Sequence, residues 1–463
     1  MRVLLVSTYE LGHQPLGVAT AATALLAAGN DVRCIDVAVD SLDGAAVDWA
    51  DRIAFSVPMH TAMRLALLVA DTVRARRPEI PLCFFGLYAA VSRDLSVQST
   101  ADAVIAGEYE SGLVAWVGGM DPGPAIQLTR VEARVPARHL LPPLDRYTQL
   151  VVGDEERLVG SVLASRGCSH RCRHCPVPVI YDGRVRVVDD SIVMADVDQL
   201  VDAGIRHVTF ADPDFLNAPH HSRRIIAAVH QRYPHLTFDC TTKVEHILRY
   251  PNVWPELAVA GCVFVVSAFE SASDTILRHL DKGHSVGEAS QAVAILREHG
   301  IEVRPSWLPF TPWTTFEDLR DLLDFVIAHD LVANVDPVQY SVRLLLPEGS
   351  LLLADDAMAA HLGHYDQARL GWTWSHPDPA VDQLQADVAT LVEERVGQTA
   401  ALTFSEIDAM IRARVRPVSS PPPPGSVSKG AAGKRARLSE PWFCCSEPTQ
   451  EQLAPLAPLG SPG

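Results

Sequence analysis

The segment Arg166-Gly167-Cys168-Ser169-His170-Arg171-Cys172-Arg173-His174-Cys175-Pro176 places three cysteines at C-x3-C-x2-C spacing. Three thiolates on one short loop can grip three corners of an iron–sulfur cube, and cysteine thiolates are the usual ligands of such clusters. With three supplied, one iron keeps an open position, which metal catalysis needs. Zinc is the rival occupant, with His170 or His174 as a fourth ligand. Structural zinc sites usually draw on two separated pairs, however, and no second pair lies nearby in sequence. Cys168, Cys172 and Cys175 are therefore the candidate metal ligands. Cys34, Cys83, Cys240 and Cys262 are scattered through apolar, strand-like stretches and read as small buried hydrophobes. The last two of the nine cysteines, Cys444 and Cys445, are adjacent in Pro441-Trp442-Phe443-Cys444-Cys445-Ser446-Glu447-Pro448. Adjacent cysteines can form a strained eight-membered disulfide or bind soft metals. One cluster plus one pair is not the disulfide framework of a small secreted domain.

The elements that must hold these residues follow a βα rhythm. Residues 158–164 form an apolar run, read as a strand, that leads directly into the cysteine loop. Strands are expected to follow at 205–211, 236–242, 262–269, 301–308 and 338–342, with helical stretches at 192–203, 222–232, 286–299 and 316–329. This rhythm implies a partial (βα)6 barrel over residues 158–355, with its active site at the C-terminal ends of the strands. In front, strands at 2–7, 31–37, 51–57, 80–85 and 103–106 alternate with helices at 16–28 and 61–77. That pattern predicts an α/β domain over residues 1–120, a doubly wound parallel sheet of Rossmann type. Ligands of such sheets sit beyond the carboxyl ends of the strands. Ser56, Gly86, Tyr88, Gly107 and Glu108 lie at those ends, where small residues let a large planar ligand approach the backbone. No G-x-G-x-x-G follows the first strand, so the dinucleotide signature is missing. The proline-rich stretch 121–157 reads as a linker, 356–415 as a small helical cap, 416–440 as a disordered linker and 441–463 as a Cys-Cys tail.

The chain has 463 residues, 48% of them apolar, enough for several buried cores. A formal net charge of −17, from 39 basic against 56 acidic residues, argues against nonspecific nucleic-acid binding. Mean hydropathy is +0.10, yet no uninterrupted apolar run approaches the roughly 20 residues of a bilayer span. The apolar stretch at the N-terminus is too short for a secretory signal, so a cytoplasmic protein is expected.

The cysteine loop resembles the signature of the radical S-adenosylmethionine (radical SAM) superfamily, including its position after the first barrel strand. The resemblance implies a [4Fe-4S] cluster whose open iron is chelated by SAM, and reductive cleavage of SAM to a 5′-deoxyadenosyl radical. His174 stands at the family position whose backbone usually touches adenine. Phe210-Ala211-Asp212-Pro213-Asp214-Phe215-Leu216-Asn217 ends the second strand, where the family holds the SAM amino group. The usual Gly-Gly-Glu is absent, which leaves Asp212 and Asp214 as candidates, with an Asx-type turn as the alternative. Phe269-Glu270-Ser271-Ala272-Ser273-Asp274 with Lys282-Gly283 is similar to the fourth-strand pattern E-S-G-S-D…K-G, which would turn Glu270 and Ser271 toward SAM. Arg304, Ser306 and Leu308 lie on the fifth strand, where ribose, carboxylate and adenine contacts often occur. A buried ion pair is the alternative for Arg304.

A doubly wound sheet in front of such a barrel resembles the cobalamin-binding domain of one large radical SAM class. Gly86-Leu87-Tyr88 and Gly107-Glu108-Tyr109-Glu110 stand where that class has G-G-x-H and G-E-x-E. The cobalt-binding D-x-H-x-x-G is missing, as it is from many members, and His13 has the wrong spacing for it. A vestigial sheet kept for packing is the alternative. The tail resembles that of the CUAEP/CCAEP-tail radical SAM (seleno)protein family, some members of which carry selenocysteine where Cys445 stands. Ser446 replaces the family's Ala. A redox-active nucleophile is implied there, which makes Cys444 and Cys445 catalytic candidates.

Taken together, these resemblances imply a radical SAM enzyme acting on a small molecule or peptide with the help of an electron donor, and, if cobalamin is bound, they favour methyl transfer. Radical rearrangement or thiol-coupled modification without functional cobalamin is the second reading. A non-catalytic metallothiol protein for selenium or metal handling, or for redox sensing, is the third. Neither nucleic acid nor membrane is an expected partner.

Overall fold

The structure, a computed structural model, describes residues 1–91, 100–415 and 435–440. Cys444 and Cys445 lie outside the described residues.

The N-terminal sheet contains β1 (Arg2–Ser7), β2 (Asp31–Asp36), β3 (Arg52–Ser56), β4 (Leu82–Phe85), β5 (Ala103–Gly107) and β6 (Ile126–Gln127), in the order β2-β1-β3-β4-β5-β6 and all parallel. β1, β3, β4 and β5 are nearly continuous apolar runs because helices cover both faces. Helix His60–Arg76 packs on Leu4, Phe55 and Phe84, and helices Leu16–Ala27 and Glu110–Val117 pack on Leu5 and Phe85. The strand order reverses between β1 and β3, which opens a crevice beyond their carboxyl ends.

Five parallel strands form the barrel: β8 (Glu155–Val162), β11 (His207–Phe210), β12 (Thr237–Thr241), β13 (Cys262–Glu270) and β14 (Glu302–Trp307). Helices Asp190–Asp202, Pro219–Arg232, Val286–Glu298 and Phe316–Ala328 cover the outer face, where Val208, Phe210, Phe238, Cys240 and Val265 share one core. Alternate residues form the inner face. His207 and Thr209 both bond Asp239, at 2.8 and 2.7 Å. Arg304 lies over the Phe264 ring on the same face. The short strands β9 (Ser165–Gly167) and β10 (Val185–Val187) pair on either side of the cysteine loop.

Four expectations are corrected. The stretch 338–342 is not a sixth strand. Pro337, which lacks an N–H for a ladder, opens a 3-10 helix, Pro337–Ser341, and only the bridge Phe310–Arg343 follows it. The stretch 121–157 is more than a linker, since it supplies β6 and β7 (Gln149–Val152). β7 pairs antiparallel with β8 across a tight turn at Gly153, whose φ of +62° suits glycine. The cap is not purely helical. Besides helices Pro379–Glu394 and Ala400–Arg412 it holds an antiparallel hairpin of β15 (Leu362–Asp366) and β16 (Gly371–Trp374). Finally, residues 435–440 are ordered, with β17 (Arg437–Leu438) pairing antiparallel with β7, so the large sheet runs β14-β13-β12-β11-β8-β7-β17.

Candidate active site

The cysteine loop leaves β9 at Gly167, whose φ is +76° and where a Cβ would lie 2.2 Å from the Arg184 carbonyl oxygen. Asp212 fastens the chain just before it, accepting from the Ala164 amide at 3.0 Å and from Ser165 Oγ at 2.5 Å. Burial pushes the Asp212 carboxyl up to about 7. Both its oxygens are spent on the loop's root, which does not favour the expected contact with an ammonium group. Asn217 holds the loop itself, accepting from Ser169 N at 3.1 Å and Ser169 Oγ at 2.7 Å. The Arg173 amide donates to the Leu280 carbonyl at 2.9 Å.

Cys168, Cys172 and Cys175 are free thiols, Cys172 buried and the other two partly buried. Burial raises Cys168 and pushes Cys175 up to about 12, so thiolates at these positions call for a bound cation, which would deprotonate them. Among the described residues, the trio of His, Cys, Asp or Glu ligand atoms lying within 4.8 Å of one another is His170, Asp214 and His246, not the cysteines. The three sulfurs are thus not all within 4.8 Å of one another, whereas the ligands of one tetrahedral zinc with Zn–S bonds near 2.3 Å lie roughly 3.8 Å apart. Of the histidines of the zinc alternative, His174 is held by Glu270, whereas His170 Nε2 is buried without a hydrogen-bond partner among the described residues. His170 lies 3.6 Å from Asp214 and 3.5 Å from Glu245, and His174 lies 3.2 Å from Glu270. An all-sulfur, widely spaced donor set fits an iron–sulfur cube.

Beside the loop, Glu270 ends β13 in a left-handed conformation, φ +63°, at a register shift against β14. A non-glycine residue held there at a bulge is re-aimed by the surrounding structure. Its carboxylate accepts from Lys282 Nζ at 3.1 Å, next to His174. Burial alone would raise its pKa, but Lys282 and His174 outweigh burial and hold it down at about 2. Burial opposes the charge on Lys282, but Glu270, with smaller shares from Cys172 and Cys175, outweighs burial and raises the amine. Asp214 caps the 3-10 turn Phe215–Asn217 through the Leu216 amide at 3.0 Å and faces His246 Nδ1 at 2.9 Å. The predicted site residues Cys168, Cys172, Cys175, His174, Asp214 and Glu270 thus surround one end of the barrel. Ser271 turns back to accept from the Ser273 amide at 3.2 Å, and the Leu308 amide donates to the Glu270 carbonyl at 2.8 Å. Ser306 is buried on β14. Arg304 forms an ion pair at 3.1 Å with the partly exposed Asp336.

The N-terminal domain turns the ends of β3, β4 and β5 toward this loop. Arg166 reaches Glu108 at 3.3 Å and Glu110 at 2.6 Å, and Tyr181 OH donates to Glu108 at 3.3 Å. Cys168 and Cys175 pack against the apolar cluster that contains Val57, Tyr88 and Tyr181. Gly86 (φ +113°) and Gly107 (φ +81°) make the turns out of β4 and β5. Ser56 Oγ fills the space a Cβ on Gly17 would need, 2.7 Å away. Nearby, burial pushes Glu10 up to about 7, and its Oε2 has no donor in hydrogen-bond geometry. A buried acceptor at the β1/β3 crevice suits a ligand rich in amide donors. A cleft of about 1360 Å³ separates the first loop, including Tyr9, Gly12 and His13, from the segment after the barrel at Leu345 and from the cap hairpin at Trp372. Burial lowers His13 to about 4, so it is neutral at ordinary pH. Sequence reasoning missed Arg166 as the bridge between the domains. Its signal was a lone arginine preceding the loop and two glutamates in Gly107-Glu108-Tyr109-Glu110.

The comparisons with known proteins agree with this geometry. The radical SAM superfamily matches residues 162–326 and the B12 binding domain matches residues 2–117. Hopanoid C-3 methylase of Methylococcus capsulatus is 26% identical over 338 residues, 66% of this chain and 63% of that protein, so the chain spans less than two thirds of its length. Among solved structures, the cobalamin-dependent S-adenosylmethionine radical enzyme OxsB, with aqua-cobalamin and S-adenosylmethionine bound, gives a TM-score of 0.66 at 14% identity, covering 86% of this chain and 67% of OxsB. The radical S-adenosylmethionine methyltransferase TsrM of Kitasatospora setae gives 0.60 at 16% identity, covering 84% of this chain and 89% of TsrM. At such identities these structures speak for the fold alone. The two matches give the chain a B12-binding domain followed by a radical SAM domain, on a fold shared with OxsB and TsrM.

Proposed function

We propose that this protein is a cobalamin-dependent radical SAM enzyme that cleaves S-adenosylmethionine reductively and transfers a methyl group to a small molecule or peptide. The observation that carries the proposal is the abutment of the three-thiol loop on the carboxyl ends of β3, β4 and β5 through Arg166, Glu108 and Glu110. It sets a site for a redox cluster beside the ligand face of a B12-binding domain. When bound, the cluster and SAM supply radical chemistry and cobalamin supplies a transferable methyl group.

The chain's own residues bind and orient. Cys168, Cys172 and Cys175 would hold the cluster. The Glu270–Lys282–His174 network fixes a charged wall next to them, and Asp214 offers an anionic edge for an ammonium group. Ser56, Gly86, Tyr88, Gly107 and Glu108 shape the cofactor face of the sheet. The relative whose name is Hopanoid C-3 methylase supports methyl transfer over radical rearrangement.

The sequence of the tail supports membership in the CUAEP/CCAEP-tail family, with Cys444 and Cys445 as catalytic thiols. An external electron donor completes the system. No helix among the described residues is long and apolar enough to cross a membrane, which supports a cytoplasmic setting without membrane partners. Oxygen-free protein reconstituted with iron, sulfide and cobalamin should release 5′-deoxyadenosine or S-adenosylhomocysteine from SAM and reductant. It should retain cobalt through gel filtration. Iron binding without SAM turnover would overturn the enzyme reading, and turnover without retained cobalt would overturn the cobalamin branch.

A further inference from the structure

Three segments at the C-terminal ends of the barrel strands converge beside the thiols, and each contributes one side chain of a ligand type. His170 belongs to the cysteine loop, Asp214 follows β11, and His246 lies on helix Val244–Arg249 after β12. One ligand atom of each lies within 4.8 Å of the other two. Asp214 Oδ2 is 2.9 Å from His246 Nδ1 and 3.6 Å from His170 Nε2, and the two imidazole rings have centroids 4.6 Å apart. The side chains of Asp214, His246 and His170 are 1%, 5% and 13% exposed.

The trio is held from outside. Asp214 Oδ1 accepts from the Leu216 amide at 3.0 Å, while Oδ2 accepts from the Lys243 amide at 3.4 Å, a long bond that leaves this oxygen a lone pair to offer. The turn that Asp214 caps ends in Asn217, which fastens Ser169 next to His170. His170 Nδ1 faces Glu245 Oε2 at 3.5 Å, and Glu245 lies 3.5 Å from Arg249 and 3.8 Å from Lys243. The His246 ring packs against Tyr250.

The two nitrogens that point to Asp214 are the unusual feature. His170 Nε2 and His246 Nδ1 are both buried, and neither has a hydrogen-bond partner among the described residues. For His246 the carboxylate oxygen is close enough but is not in line with a ring N–H. Two imidazole nitrogens and a carboxylate oxygen turned to one point make the donor set of a divalent first-row cation. With bonds of about 2.0–2.2 Å, the ligand atoms of one tetrahedral zinc stand roughly 3.3 Å apart, between the two separations seen here. Glu245 stands at the other ring nitrogen of His170, where histidines that bind metals usually place a carboxylate.

We infer that His170, Asp214 and His246 form a second metal site, separate from the three thiols, that binds one divalent first-row cation. Zinc is the cation whose tetrahedral preference these separations suit. Three protein ligands leave a coordination position open, at the strand ends where a βα barrel meets its substrate. The cation takes the Asp214 oxygen that would otherwise serve an ammonium group, so the two uses of Asp214 exclude each other. The inference stands apart from the methyl-transfer reading, and its test needs no turnover.

Full-length protein with its cluster reconstituted under anaerobic conditions is incubated with zinc sulfate, passed through gel filtration and assayed for zinc and iron. About one zinc per chain should be retained, and X-ray absorption at the zinc edge should show nitrogen and oxygen at about 2.0–2.2 Å and no sulfur near 2.3 Å. His246→Phe keeps a ring against Tyr250, and Asp214→Asn keeps an acceptor for the Leu216 amide. Each should weaken zinc by more than about tenfold in competition with a chelator, and His246→Phe should keep its cluster iron. A sulfur shell around the zinc, no retained zinc, or affinity undiminished in both variants would overturn the inference. Release of the zinc on adding SAM would overturn it too, giving Asp214 to the ammonium group and leaving the enzyme reading intact.

Discussion

Arg138 joins the two domains from within. Its guanidinium pairs with Asp196 at 3.0 and 2.9 Å, donates to Gln14 Oε1 at 3.2 Å, and donates to the Ser161 carbonyl of β8 at 2.5 Å. The two side chains of the ion pair are only 6% and 4% exposed. Arg138→Met keeps much of the apolar stem and removes every one of these bonds. Asp196 would retain the Gln199 amide at 2.7 Å, but its charge would be stranded. Breaking a buried pair from one side costs about 3–5 kcal/mol, and the orphaned Ser161 carbonyl alone costs about 1–3 kcal/mol. These overlap, so a loss of about 4 kcal/mol is expected. Adding Asp196→Leu removes the stranded charge, and the double variant should recover to within about 2 kcal/mol of the parent, because a well-packed apolar replacement of a buried pair is often near neutral. Asp196→Leu alone strands the arginine and should also cost about 3–5 kcal/mol, so the coupling energy of the cycle should reach at least about 5 kcal/mol. Urea unfolding of the four proteins, followed by tryptophan fluorescence, measures it. A single variant within about 1 kcal/mol of the parent, or a double variant as unstable as the summed singles, would refute the argument that this pair seats the first domain on the barrel.

Three further outcomes follow from the site. Glu270 sits at about 2 when folded against an ordinary 4.5. Its pairing is fully stabilising above pH 4.5 and is lost as pH falls toward 2, a contribution of about 3 kcal/mol. Acid titration of Glu270→Gln should accordingly lack that part of the parent's loss of stability. Replacing any one of Cys168, Cys172 and Cys175 by Ala should cut cluster iron by more than half and abolish 5′-deoxyadenosine release, read by iron assay and chromatography. His13 is neutral above about pH 4 and has no place in a cobalt-binding motif. His13→Ala should leave the visible spectrum of bound cobalamin unchanged, and a shifted spectrum would show that His13 is a ligand.

Sequence patterns announced the parts of the fold in which one period dominates. The buried parallel strands β1, β3 and β4 and the second half of β8 are apolar runs between helical stretches, so both βα series were legible. The misses are pieces whose structure depends on partners far away in the chain. β7 and β17 are too short and mixed to declare themselves and exist because each completes a ladder. Pro337 decided against a sixth strand by denying a donor. In the site, spacing alone exposed the three cysteines, since the ligands share one loop. Arg166 and Arg138 were harder, because each acts through carboxylates brought up by folding. Asp212 shows the converse, since a well-placed acid can be consumed by holding the loop in shape.

The pairing of β17 with β7 also bears on how the molecule assembles. Gln149 and Ser439 are 290 positions apart, so a segment synthesised long after β7 completes an edge whose other members are made far earlier. Contacts of such long range carry a high loop-closure cost and form late. In the interval β7 presents unpaired backbone donors and acceptors, the feature by which exposed sheet edges recruit strands from other chains. Aggregation of nascent or truncated protein should therefore start at this edge, and a peptide spanning residues 435–440 should suppress it.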